Sequence, residues 1–337
     1  MSPHQDALPR SLYRRISLYL PGLALTLTLA LLAMTAQRLT GLMALSPLVL
    51  ALILGMLMRN ALGPLPATGP GITFSMKRIL RAAIVLLGLQ LTFAQVATLG
   101  LHGVLTIVLT LAGTFVLVKR AGRALGVDRK LAELIAAGTS VCGASAVLAT
   151  NTVTRGTDED VAYAIACVSV FGTLSMLGFP LIGHALALPP ESYGLWTGAS
   201  IHEVAQVVAA AFQGGEVAGQ SGTVAKLARV ILLAPLILTL GAFARRRGES
   251  GTGPAPTPWF VIGFIAMVAL NSLLPLPEAL HGPVVALTSL MLTMALAAMG
   301  LETDLRRLRA KGLRPLLLGA FGWITVSALG LGLVLLG

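Results

Sequence analysis

Charged residues are scarce in this chain, and their scarcity excludes a water-soluble fold. Of the 337 residues, 11% are charged and 56% are hydrophobic, whereas a globular domain carries roughly 25% charged residues. The polar surface is therefore too small to coat a soluble body of this length. Apolar runs recur along almost the whole chain, and a lipid bilayer is the solvent that fits them.

Aromatic residues and cysteines are also few. The net charge of +11 is typical of nucleic-acid binding, but only 5% of the residues are aromatic. The Lys and Arg residues lie in short loops between apolar runs, which is the pattern that orients a membrane protein, so no nucleic-acid partner is expected. Cys142 and Cys167 lie in apolar segments without CxxC spacing. We therefore predict no disulfide framework, metal site or cofactor.

About eleven hydrophobic segments have the length and composition expected of membrane spans. The first follows Arg10, Arg14 and Arg15 and is longer than the roughly 7–15 apolar residues of a signal peptide, so we interpret it as a retained span. The segments are 17–36, 42–58, 80–98, 104–118, 131–153, 162–184, 194–212, 224–244, 259–274, 283–301 and 313–336. The predicted fold is an all-α polytopic membrane protein, with a tail over 1–16 and one transmembrane domain over 17–337.

Four strongly basic connections orient these segments. The connections between them, around Gly41, His102 and Glu278, are nearly free of Lys and Arg. Because basic loops stay in the cytoplasm, the sequence predicts a cytoplasmic N-terminus and an external C-terminus. The basic residues are Arg59, Lys77, Arg78 and Arg81; Lys119, Arg120, Arg123, Arg129 and Lys130; Arg245, Arg246 and Arg247; and Arg306, Arg307, Arg309, Lys311 and Arg314.

Two segments are interrupted near their centres by small and polar residues. The middle of 131–153 reads GTSVCGAS (138–145), and 194–212 carries Gly198, Ser200, His202, Glu203 and Gln206. Irregular backbone at membrane depth survives only where it is buried in protein or lines a wet cavity. Each segment is therefore either a broken spanning helix or a re-entrant hairpin. The basic loops do not separate the two, because converting both segments to hairpins leaves every basic loop on the cytoplasmic side.

Internal similarity predicts a duplicated core. GTSVCGASAVLAT (138–150) aligns without gaps with GASIHEVAQVVAA (198–210), and GLQLTF (88–93) resembles GLETDL (300–305). Paired discontinuous helices in inverted repeats are typical of secondary transporters. We therefore expect repeat halves of about 42–184 and 194–336, although the matches are short and lie in apolar sequence of low complexity.

Glu203 is the most informative residue, because a charge at the centre of a span costs about 2.5–3.5 kcal/mol. With His202 it forms a candidate proton relay. Lys226 and Arg229, one helical turn apart in the next segment, are candidates to balance its charge, and the structural alternative is an ion pair made for packing. HExxH zinc chemistry is not expected, because the second histidine is replaced by Gln206.

The stretch 138–145 contains no strong acid or base, and its contribution to a site is its backbone geometry. Its glycines and hydroxyls allow the helix to open, which exposes backbone N–H groups that attract anions. We therefore predict a substrate site built from Ser140, Cys142, Gly143, Ser145, His202 and Gln206. The alternative is close helix packing through small residues.

Five stretches together resemble the YeiH-like family of bacterial inner-membrane proteins, which are often called sulfate exporters. The resemblance runs from about residue 47 onward and implies a multi-pass secondary transporter in the bacterial inner membrane that exports sulfate or a sulfonate-derived anion. The stretches are RAAIVLLGLQLTF (81–93), AAGTSVCGASAVLATNTV (136–153), TGASIHEVAQVVAA (197–210), KLARVILLAPLIL (226–238) and MALAAMGLETDL (294–305).

The leading hypothesis is thus a proton-coupled transporter of a small anion, not an enzyme, with a homodimer as one candidate assembly. A cation:proton antiporter or a channel shares the broken-helix logic, but the interrupted segments contain no Asp. A membrane enzyme is the rival from another class, and it needs a cluster of acids, metal ligands or a nucleophile that the sequence does not display. No GxxxxGK[ST] motif occurs, so energy is expected to come from ion gradients or from a separate partner protein.

Overall fold

The structure is a computed structural model, and it describes residues 10–40, 46–97, 99–246, 259–304 and 312–337. Helices are the only regular secondary structure within these ranges. They are α1 (Arg10–Thr40), α2 (Pro47–Leu62), α3 (Gly69–Phe74), α4 (Leu80–Leu87), α5 (Phe93–Ala97), α6 (Gly100–Ala124), α7 (Arg129–Ser140), α8 (Ala144–Thr154), α9 (Asp158–Ala185), α10 (Pro190–Ser200), α11 (Val204–Ala211), α12 (Glu216–Ile231), α13 (Leu233–Arg246), α14 (Trp259–Leu273), α15 (Glu278–Glu302) and α16 (Leu313–Leu335).

Six helical stretches of the described chain are long and apolar enough to cross a membrane. Three further apolar helices are shorter: Pro47–Leu62, Val204–Gly214 and Trp259–Leu273. The all-α membrane protein is thus confirmed at this level, whereas the eleven segments and the inverted repeat stay predictions. The six long stretches are Ser17–Leu39, Gly100–Ala124, Asp158–Ala185, Glu216–Arg246, Glu278–Glu302 and Leu313–Leu335.

The chain forms two compact units, and the first comprises residues 1–84 and 282–303. Glycines allow its helices to cross with their backbones in contact. A Cβ on Gly22 would lie 2.6 Å from the backbone N of Ile72, and a Cβ on Gly300 would lie 2.8 Å from the backbone N of Met56. Such small-residue crossings are the usual means of packing helices in lipid.

The second unit comprises residues 85–281 and 304–337, and it contains both interrupted segments. Two indole groups fasten α16 to its neighbours. Trp323 donates to the Ser175 hydroxyl on α9 at 2.7 Å, and the Trp196 indole of α10 donates to the Ser327 carbonyl at 2.9 Å. Helices α6, α7, α9 and α10 all pack against α16.

Several predicted features lie outside the described residues. These are residues 1–9 of the N-terminal tail, the start of segment 42–58, Arg247, and the basic residues Arg306, Arg307, Arg309 and Lys311. The cytoplasmic N-terminus and the single domain over 17–337 also stay predictions.

Candidate functional site

The first interrupted segment folds back on itself as a helical hairpin, which we call the first hairpin (residues 129–154). The Thr154 hydroxyl donates to Glu133 Oε1 at 2.9 Å, and Lys130 Nζ donates to the Arg155 carbonyl at 2.8 Å. In a continuous helix, residues 133 and 154 would lie about 30 Å apart. Helices α7 and α8 are therefore antiparallel arms, joined by a tip at residues 141–143.

The second interrupted segment forms a second hairpin (residues 190–211). The Tyr193 hydroxyl of α10 donates to the Ala210 carbonyl of α11 at 3.0 Å, although a continuous helix would separate these residues by about 25 Å. Gly214 lies directly against the Tyr193 ring. The tip at residues 201–203 joins the two arms, so both segments that the sequence left open are hairpins.

The two tips touch each other through Glu203. Its Oε1 accepts a hydrogen bond of 2.6 Å from the backbone N–H of Ala144, the first residue of α8. The carboxylate lies over Gly143, where an added Cβ would overlap Oε1 and lie 2.5 Å from Cδ. Gly143 adopts φ +64°, ψ −132°, a conformation essentially reserved for glycine. We call this contact, with residues 141–144 and 201–203, the tip junction.

Lys226 of α12 joins the two tips from one side. Its Nζ donates to the carbonyls of Val141 and Ile201 at 2.7 Å each, and the side chain is fully buried. Val141 and Ile201 occupy equivalent positions in the ungapped alignment of 138–150 with 198–210. One ammonium group thus bonds the corresponding carbonyl of each hairpin.

Arg229, one turn further along α12, reinforces the same junction. Its guanidinium donates to the carbonyls of Thr139 at 2.5 Å, Ser140 at 2.7 Å and Ile201 at 3.0 Å. These carbonyls end α7 and α10, where a helix carries partial negative charge and free acceptors. Lys226 and Arg229 therefore donate to the carbonyl groups at the C-terminal ends of α7 and α10, the first arm of each hairpin.

Glycines bring α12 close enough for this contact. A Cβ on Gly194 would lie 2.5 Å from the Ala218 carbonyl oxygen, and one on Gly198 would lie 3.0 Å from the backbone N of Lys226. Gly194 and Gly198 form a GxxxG pair on α10, a spacing that permits backbone contact between helices in lipid. Gly194 and Gly198 thus allow α12 to place Lys226 beside the second tip.

The junction contains two basic side chains, Lys226 and Arg229, and one acidic side chain, Glu203. Within the described chain, no carboxylate oxygen lies within 4.0 Å of a Lys226 or Arg229 nitrogen, so the ion pair considered from the sequence is not formed. Glu203 lies within electrostatic range of Lys226. When all three groups are ionised, one positive charge is uncompensated, and such a site attracts an anion.

The residues predicted in the first hairpin take different positions. Ser140 is buried, and its hydroxyl lies 3.5 Å from the Ala137 carbonyl of its own helix, so its carbonyl is the atom in the junction. Cys142 is buried in the tip within range of both cations. Ser145 is exposed, one residue beyond the partly exposed Ala144, and so lies where the junction opens.

Gln206 and His202 differ in how their polar atoms are used. Gln206 Oε1 accepts from the Glu203 backbone N–H at 3.1 Å, and Nε2 donates to the Ser169 carbonyl at 3.1 Å. This geometry favours a positioning role, in which Gln206 holds the second tip against α9. His202 is fully buried beside the cations, and neither ring nitrogen has a hydrogen-bond partner among the described residues.

Sequence reasoning missed the polar groups at the bases of the hairpins. Glu133 is almost fully buried, accepts from Lys119 Nζ at 2.8 Å, and bonds Thr154 as described above. With Glu203, it is the second carboxylate in the two interrupted segments. The sequence signal for it was the basic residue Lys119, which precedes the segment. The sequence contained no comparable sign that Tyr193 closes the second hairpin.

These features define a class: an all-helical membrane protein in which two helical hairpins meet tip to tip beside buried cations. The family model described as "Conserved hypothetical protein 698" matches residues 21–319. The chain is 43% identical to a UPF0324 membrane protein of Pseudomonas aeruginosa over 326 residues, covering 91% of this chain and 92% of the relative.

Two further relatives carry the name UPF0324 inner membrane protein YeiH. The protein of Salmonella typhimurium is 37% identical over 322 residues, or 92% of each chain. That of Escherichia coli is 35% identical over 327 residues, or 94% of each chain. No solved structure gives a significant match. The chain therefore belongs to the UPF0324 family of bacterial membrane proteins, which confirms the resemblance found in the sequence.

Proposed function

We propose that this protein is a secondary transporter of a small anion, and that the anion binds at the tip junction. The proposal depends on Lys226 and Arg229, which are fully buried and donate to backbone carbonyls. Among the described residues, no carboxylate lies at contact distance from either side chain. Burying two such cations costs several kcal/mol each. A transported anion supplies the missing negative charge.

Hairpin length favours a site at the middle of the membrane. The arms α7 and α8 have 12 and 11 residues, so they extend roughly 18 and 16 Å, about half of a hydrocarbon core of roughly 30 Å. We infer that both hairpins are re-entrant and that their tips meet near the midplane. Irregular backbone at that depth is typical of secondary transporters.

The bases of the hairpins carry different charges. Arg129, Lys130 and Arg155 flank the first hairpin, whereas no Lys or Arg occurs between Arg155 and Lys226. By the rule that basic loops stay in the cytoplasm, the first hairpin enters from the cytoplasm and the second from the opposite side. Opposed hairpins support the inverted repeat, whose halves we keep at 42–184 and 194–336.

The substrate class that we propose is sulfate or a sulfonate-derived anion. The protein would export it by a proton-coupled cycle without enzymatic chemistry. This substrate class follows from the family resemblance and agrees with the two basic side chains of the junction. A cation:proton antiporter is disfavoured, because a cation entering the junction would meet Lys226 and Arg229 without a compensating carboxylate at contact distance.

Anion efflux from proteoliposomes tests the proposal. Vesicles loaded with labelled sulfate or sulfite should show saturable net efflux that other anions inhibit and that sodium or potassium does not. Glu203→Gln should lower net efflux at least tenfold, whereas Glu216→Gln, at the exposed start of α12, should leave it unchanged. Absence of saturable flux for either anion would refute the proposed function, and equal net flux from Glu203→Gln would remove Glu203 from the mechanism.

A further inference from the structure

The Glu203 carboxylate occupies the position that a bound anion needs. The first N–H groups of a helix have no acceptor within the helix and form a natural anion site, and Ala144 begins α8. Its N–H is held by Glu203 Oε1 at 2.6 Å, and the absent side chain of Gly143 provides the space for the carboxylate. The protein's own carboxylate thus fills the anion site at the start of α8.

Glu203 is the partly exposed residue of the second tip. Ile201, His202 and Val204 are buried, whereas Glu203 between them is partly exposed. On the facing tip, exposure rises from the buried Gly143 through Ala144 to Ser145. The hydrogen bond between Glu203 and Ala144 therefore lies at the partly exposed edge of the junction.

His202 provides a second and independent sign of a ligand. Its side chain is fully buried, and both ring nitrogens lack a hydrogen-bond partner among the described residues. Buried polar groups in native proteins are nearly always hydrogen-bonded, so two orphaned nitrogens next to Glu203 indicate that something else supplies their partners. A small oxyanion can accept a hydrogen bond from the ring nitrogen that carries the proton.

We propose that the transported anion and the Glu203 carboxylate compete for the Ala144 N–H, so that one proton moves in the same direction as each anion. This inference rests on the proposed function and specifies how the proton and the anion are coupled. The charged and titratable groups around Glu203 are Lys226 and Arg229 on α12, Cys142 on the facing tip and His202 beside it. A second anion next to an ionised Glu203 would meet like charge at a single donor.

The cycle balances protons, and with a dianion such as sulfate it carries one net negative charge across the membrane. Glu203 takes one proton from the side from which the anion enters, and the neutral carboxylic acid, a weaker acceptor, releases the Ala144 N–H to the anion. The loaded junction then opens to the other side. The anion leaves, Glu203 loses its proton to that side, and the carboxylate returns to Ala144. The empty carrier is thus closed by its own carboxylate.

The test uses full-length protein in vesicles that contain a pH-sensitive dye. Sulfate, thiosulfate and methanesulfonate serve as probes, because none of them changes charge between about pH 5.5 and about pH 8. Every proton that the dye reports in step with anion flux is therefore carried by the protein. We expect the vesicle interior to become more alkaline as the anion leaves, with one proton lost for each anion.

Glu203→Gln separates binding from coupling. The amide oxygen still accepts from Ala144 but carries no charge and takes up no proton, so the variant resembles the protonated carrier. It should keep anion-for-anion exchange within about threefold of wild type at all pH values, lose net efflux at least tenfold, and move no protons. The matched control Glu216→Gln should behave like wild type in all three measurements.

The outcomes distinguish the inference from the proposed function. Three results would overturn the competition and leave the proposed anion transport intact. They are anion flux without proton movement, proton movement opposite to the anion, and exchange by Glu203→Gln that keeps the wild-type pH dependence. Absence of both net flux and exchange for all three probes would overturn the proposed function, and competition with it. Coupled proton loss in the wild type together with uncoupled exchange in Glu203→Gln would support both.

Discussion

Gly143→Ala tests whether the two tips touch as described. The new Cβ would overlap Oε1 of Glu203, and Ala would have to adopt φ +64°. The backbone conformation costs about 1–3 kcal/mol for a residue with a Cβ. Displacing the carboxylate from Ala144 removes a hydrogen bond to a charged group, worth about 1.5–3 kcal/mol. The substitution should therefore destabilise the protein by about 2.5–6 kcal/mol.

A second glycine separates the two contributions. Gly215 precedes α12 as Gly143 precedes α8 and has φ +99°, and a Cβ added to it would have no neighbouring atom within 4 Å. Gly215→Ala should therefore cost only the backbone strain, about 1–3 kcal/mol. The free energy of unfolding is measured in mixed detergent micelles by titration with a denaturing detergent.

A double-mutant cycle with Glu203→Ala completes the experiment. Once the carboxylate is absent, the cost of Gly143→Ala should fall to that of Gly215→Ala, and the coupling energy between positions 143 and 203 should be about 1.5–3 kcal/mol. If Gly143→Ala costs the same with and without the Glu203 side chain, the tips do not meet through this contact.

Three further substitutions test other parts of the fold by the same measurement. Arg229→Lys should destabilise by about 1–3 kcal/mol, because a lysine lacks the guanidinium fork and leaves the Thr139 or the Ser140 carbonyl without a donor, whereas the Ile201 carbonyl keeps its bond from Lys226; an unchanged stability would contradict these contacts. Tyr193→Phe removes the bond to the Ala210 carbonyl and should cost about 0.5–1.5 kcal/mol, so a gain in stability would argue against the closed second hairpin. Gly71→Ala should cost more than about 1 kcal/mol, because its Cβ meets the backbone of Gly22 at 2.7 Å; a neutral effect would contradict the close crossing of α1 and α3.

The sequence predicted which residues meet but not how the chain brings them together. Glu203 and the stretch 138–145 stood out because charge and small polar residues are costly in lipid unless they serve a site, and the structure joins them. The fold-back was not predictable, because a broken helix and a hairpin share the same run of apolar residues with the same central interruption. Only long-range contacts such as those of Tyr193 with Ala210 distinguish them.

The roles of Lys226, Arg229 and Gln206 were also beyond sequence reasoning. A buried cation suggests a carboxylate partner, since charge pairing is the commonest solution, and the sequence offered Glu203. The structure satisfies both cations with backbone carbonyls instead, and such acceptors exist only because α7 and α10 end beside α12. Gln206 was interpreted as a ligand contact because polar residues in spans are usually functional, but its partners on α9 become neighbours only after folding.

Side-specific labelling of single cysteines tests most directly the claim that two hairpins enter from opposite sides and meet at an anion site. In a chain with Cys142→Ala and Cys167→Ala, cysteines at Arg129 and Arg155 should both react with a membrane-impermeant thiol reagent from the cytoplasmic side. Cysteines at Glu191 and Glu216 should react only from the other side. Labelling of positions 129 and 155 from opposite sides would show a spanning broken helix and contradict the hairpin.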